Sequence, residues 1–117
     1  MSAGNPFSEF SNAQADQKFA VAVSSTSGPN TAIAAPGAGK RICLVGGQLQ
    51  NESATDQTAL IKHGSTTLYR VNMSAKSYGA LPPSPLFWRL PANTALIVDL
   101  AAAVATNYTF WYFTEDV

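Results

Sequence analysis

The sequence predicts an all-β fold, an antiparallel β-sandwich of jelly-roll type with about seven or eight strands. Short β-capable runs recur along the chain, bounded by clusters of Gly, Pro, Asn and Ser at intervals of roughly 8 to 12 residues. Helical periodicity is missing. The one helix-compatible window, the alanine-rich stretch from Asp99 to Thr106, reads as a loop between the last two strands. The length of 117 residues fits one such domain, which at this size buries roughly two thirds of its unfolded surface.

Residues 1–16 show neither a helical nor a strand period and read as an extended N-terminal arm, with 17–117 as the sandwich. Disordered tails are poor in aromatics, so Phe7 and Phe10 point to a segment that orders against a partner or its own domain, the alternative being a floppy terminus. From Lys18 the chain alternates strictly, with Phe19, Val21 and Val23 on one face and Lys18, Ala20, Ala22 and Ser24 on the other, a half-buried strand. Ser25 to Asn30 is turn material, and Thr31 to Ala35 is a short β run before the turn Pro36-Gly37-Ala38-Gly39.

Lys40 to Gln50 carries apolar residues on both faces and reads as a central strand, bent or bulged at Gly46-Gly47. Thr55 to Lys62 and Thr66 to Asn72 form a hairpin across His63-Gly64-Ser65. Leu81 to Pro91 contains Pro82, Pro83, Pro85 and Pro91, and is a rigid loop or a short edge strand. Ala95 to Leu100 and Tyr108 to Glu115 close the fold, the latter with Tyr108, Phe110 and Tyr112 on one face and Thr109, Trp111 and Phe113 on the other.

Charge and cysteine content exclude several functions. Seven Lys and Arg balance seven Asp and Glu, so nothing drives the counterion release on which nucleic-acid binding depends. Charged residues are 12% of the chain against about 25% in typical soluble domains, and a neutral, charge-poor surface favours association. Cys43 is the single cysteine, set between Ile42 and Leu44, and is expected in the core. No basic-then-apolar leader opens the sequence and no apolar run approaches the roughly 20 residues of a membrane span, so a soluble protein without membrane contact is expected.

Catalytic motifs fail on inspection. The stretch Ala34 to Arg41 resembles a phosphate-binding loop but lacks Gly at Ala34 and Ser or Thr at Arg41. His63 is the only histidine; it cannot build a His-based metal cluster and is expected to sit exposed in a turn. No nucleophile-elbow sequence is present, and the spacing of Glu52, Asp56 and Asp99 selects no carboxylate pair. Asp99 ends an apolar strand and is either paired or solvated. The expectation is a non-enzyme without catalytic residues, metal or cofactor.

The block from Lys40 to Glu115, about two thirds of the chain, resembles the small β-sandwich proteins that decorate or cement the capsids of tailed bacteriophages. The resemblance lies in Gly39 to Val45 as an early strand, Pro82 to Trp88 as a loop, Pro91 to Leu100, and the aromatic final strand. It implies a homo-oligomer, expected to be a trimer, made in the host cytoplasm and docked on the capsid exterior, with the major capsid protein as partner. Phe7 and Phe10 of the arm are the expected capsid contacts, and Phe87, Trp88 and Arg89 the expected subunit interface. The alternative on the same architecture is a tail-fibre or receptor-binding tip recognising a host glycan or surface protein.

Overall fold

The computed structural model describes residues 17–82 and 88–117. The described residues form nine strands: β1 (Lys18–Ser24), β2 (Gly28–Ile33), β3 (Lys40–Asn51), β4 (Gln57–His63), β5 (Thr66–Met73), β6 (Tyr78–Ala80), β7 (Trp88–Arg89), β8 (Leu96–Leu100) and β9 (Thr106–Asp116). No helix occurs among them, and the stretch after Leu100 is a series of bends.

All pairings are antiparallel. One sheet, A, runs β1-β9-β3-β6, with β7 also on β3; the other, B, runs β2-β8-β4-β5. β1 pairs β9, β2 pairs β8, β3 pairs β6 and β4 pairs β5, so the chain is a nested hairpin whose two halves run together. Pairing of β3 with β9 and of β4 with β8 rolls that hairpin into two sheets, which is jelly-roll connectivity.

The core lies between the sheets. Ile42, Leu44, Leu49, Tyr108 and Phe110 from sheet A meet Ala59, Ile61, Val71, Leu96, Val98 and Leu100 from sheet B. Each large side chain so buried contributes about 1.5 to 3 kcal/mol relative to exposure. β8 alternates buried and half-buried residues, as period 2 demands of a strand with one face inside.

Turn chemistry follows the glycines where it must. Gly37 and Gly39 both take positive φ, 110° and 76°, in the loop before β3, where the Gly37 N–H donates to Asn93 Oδ1 at 2.9 Å. The β4–β5 hairpin turns on Gly64-Ser65 alone, because His63 pairs with Thr66. His63 is thus the last residue of β4 and half-buried, not an exposed turn residue.

Two other expectations need correction. β2 starts at Gly28, inside the presumed turn: Asn30 Nδ2 donates to Thr26 O at 2.9 Å and Gly28 O at 3.0 Å, tightening the corner so that the strand begins early. Pro29 is tolerated there because β2 has a strand on only one side. β6 went unanticipated: Tyr78-Gly79-Ala80 is too short to show alternation, and it exists because β3 offers it the free edge from Gln48 to Gln50.

Candidate interaction surface

The buried side of β1 is the alanine side. Tyr108 and Phe110 of β9 point into the core, and their register partners Ala22 and Ala20 must point the same way. The rings fill the space, and methyl groups complete it. Phe19, Val21 and Val23 consequently face out, at 68%, 71% and 63% exposure, as a stripe along the edge of sheet A. Scattered exposed apolar residues are ordinary; three consecutive ones on one strand face form a patch.

The outer face of sheet A continues from that stripe in rungs. Phe19 neighbours Trp111, which crosses to Gly46; Val21 neighbours Thr109 and then Gln48; Val23 neighbours Asn107, Gln50 and Tyr78. Tyr78 is 71% exposed on the far edge. Between the two edges lies a shallow groove of about 300 Å³ lined by Val21, Val23, Gln48, Gln50, Asn107 and Thr109. Asn107 Nδ2 donates to Glu52 Oε1 at 2.6 Å, while its own Oδ1 is buried without a partner. The face offers apolar contact on one side and amide hydrogen bonding on the other.

The other end of sheet A is sealed by charge. Glu115 Oε1 accepts from Arg41 Nε at 2.6 Å and Arg89 Nε at 3.0 Å, joining β9, β3 and β7. Cys43, in register with Phe113 and Arg89, is fully buried there, on the face of β3 opposite Ile42 and Leu44. Burial and the nearby Glu115 push its thiol from 9.0 up to about 11, so it stays protonated and unreactive at neutral pH. For Glu115, burial alone would raise the pKa, but the hydrogen bonds from Arg41 and Arg89 outweigh it and hold it below the ordinary value.

Of the residues singled out for contact, Phe7, Phe10 and Phe87 lie outside the described residues. Trp88 is half-buried, edge-on to Tyr69 of β5 with ring centroids 6.0 Å apart, so it bridges the two sheets within one chain. Arg89 is engaged by Glu115. Asp99 is paired, its Oδ2 2.8 Å from Lys62 Nζ on the outer face of sheet B. Among the described residues no three His, Cys, Asp or Glu side chains gather into a metal-binding group.

The β1 stripe was the surface that sequence reasoning missed. Its alternation was visible; which side faced the core depended on pairing with β9. No protein-family model matches the sequence, and no curated protein matches it significantly.

Proposed function

We propose that the chain is a structural virion protein that binds the outer capsid surface and cements the lattice through protein contacts, without catalysis or cofactor. The observation that carries this reading is the exposed stripe of Phe19, Val21 and Val23, continuous with Trp111 and the amide-lined groove on one sheet face. Apolar contact at a protein interface supplies affinity, and surrounding amides supply registry. A chain with no net charge is not repelled by its own copies, so many can crowd a lattice. Multivalent attachment then turns modest single contacts into firm binding.

The test is co-sedimentation of the purified chain with empty capsids of its virus, beside light scattering of the free protein. Saturable binding to capsids, weakened by Phe19→Ser and Val23→Ser, is the expected result. Wild-type chain that remains in the supernatant would sink the cement reading.

A second reading has one specific observation in its favour. Tyr78 stands exposed at the end of the rung that carries Gln50 and Asn107, a ring beside amides of the kind that stacks on and hydrogen-bonds sugars. On that reading the chain is a tail-fibre or receptor-binding tip for a host glycan or surface protein. Binding to immobilised host glycans, abolished by Tyr78→Ala and leaving capsids unbound, would favour it.

A further inference from the structure

We infer that β1 is the self-association edge of this protein, pairing antiparallel with β1 of a second copy about a two-fold axis at Val21. The inference goes beyond the capsid reading and does not rest on it.

The four sheet edges differ in how they resist pairing. β2 contains Pro29 and a register shift between Thr31 and Ile33. β5 carries Arg70 and runs against a shift between Ile61 and Lys62 of β4. β6 and β7 are three and two residues long. Prolines, charges, bulges and brevity are the devices by which sheet edges avoid unwanted partners. β1 has the fewest of them: seven residues pair with β9 from Lys18↔Tyr112 to Ser24↔Thr106 without a shift or a proline, and its one charge, Lys18, stands at the first position, where it would meet Ser24 of a second copy. Among the described residues nothing pairs with its other side.

The sequence of β1 is complementary to itself when reversed. Centred on Val21, Lys18 meets Ser24 of the second copy, Phe19 meets Val23, and Ala20 meets Ala22. No like charges face each other, and the outer faces join into one apolar strip of Phe, Val and Val from each copy. Sheet A then continues through both molecules. A one-residue slip in either direction would put each Phe and Val beside an inward-facing Ala, Ser or Lys18, so the pattern fixes which faces align, and centring on Val21 is the register of that parity that pairs all seven residues. A trimer would instead need β1 to meet a different edge of its neighbour, and the other edges are the protected ones.

A seven-residue strand edge with one apolar stripe is a small contact, so weak association is expected, with a dissociation constant on the order of micromolar. Sedimentation velocity of the full chain across a concentration series should show mass rising from 12.3 kDa toward twice that value. Val21→Lys, at a site open to solvent, should raise the dissociation constant at least tenfold while leaving the melting temperature unchanged at concentrations low enough that both proteins are monomeric. Register is read by oxidation. Residues directly opposite in an antiparallel pair lie about 4.5 to 5.5 Å apart at Cα, within disulfide range, so Val21→Cys should cross-link into dimers. Val23→Cys, whose copies would stand about 13 Å or more apart along the strands, should not; the buried Cys43 stays silent in both. A monomer at every concentration, a trimer, or equal cross-linking at the two positions would overturn the inference. So would a monomer that dimerises only after residues 1–16 are removed, since the chain's own N-terminal segment would then be the occupant of the edge.

Discussion

Trp111 lies so close to Gly46 that a β-carbon on the glycine would stand 2.7 Å from the indole Nε1 and 2.9 Å from Cε2. The two residues are register partners across β9 and β3, just past the irregularity at Val45. On the opposite face Phe110 crowds Gly47 in the same way. The adjacent glycines let two rings of β9 cross β3, one into the core and one onto the outer face.

Gly46→Ala is therefore expected to destabilise the fold by about 1 to 3 kcal/mol, because a rigid indole must move to admit the methyl group. Urea unfolding measures the loss, and a shift in tryptophan emission should accompany it. An unchanged midpoint would mean that the indole swings away from the strand without penalty.

Gln57 ties the bends after β8 to the start of β4. It is buried; its Nε2 donates to Ala102 O at 2.7 Å and Thr106 Oγ1 at 3.2 Å, and its Oε1 accepts from the Ala102 N–H at 2.8 Å. Gln57→Ala strands those groups away from water and should lower stability by about 1 to 3 kcal/mol. Hydrogen exchange at the Ala102 amide should rise with it, and an amide still protected in the variant would contradict the role.

The cluster at Glu115 makes stability fall at both ends of the pH scale. Glu115 has a folded pKa below its unfolded value near 4.5, so its contribution is present above 4.5 and is lost as pH falls through the folded pKa. Cys43 runs the other way: its folded pKa of about 11 exceeds the ordinary 9.0, so its contribution is complete below 9.0 and lost as pH rises toward 11. Denaturation midpoints against pH should show Glu115→Gln flattening the acid arm and Cys43→Ala the alkaline one. An acid arm that persists unchanged in Glu115→Gln would place the acid sensitivity elsewhere.

The two faces of β1 should respond oppositely to substitution. Phe19→Ser, on the exposed side, should change stability by less than about 0.5 kcal/mol. Ala20→Leu, toward Phe110 and the core, should cost about 1 to 3 kcal/mol through overpacking. Thermal unfolding of the pair decides the orientation, and the reverse order of effects would invert the strand.

Much of the architecture is legible in local sequence. The alternation that bounds β1 at Lys18 and Ser24, Gly64 in the β4–β5 turn, and the ring-rich run of β9 all carry their own period or turn chemistry. β6 and β7 carry none, since two or three residues cannot show a period and become strands only because β3 has backbone groups to satisfy. Trp88 shows the same limit: its edge-on contact with Tyr69 of β5 across the two sheets depends on tertiary packing that the proline-rich stretch around it does not reveal.

The amino-acid sequence by itself determined that this protein is an all-β sandwich with little charge and with aromatic residues concentrated near its end, because strand period, turn residues and composition are local properties. The tertiary structure alone decided which side of each strand is inside. Side chains alternate with period 2, so the parity of β1 is set by its partner β9: once Tyr108 and Phe110 occupy the core, Ala20 and Ala22 follow them in and Phe19, Val21 and Val23 are left facing out.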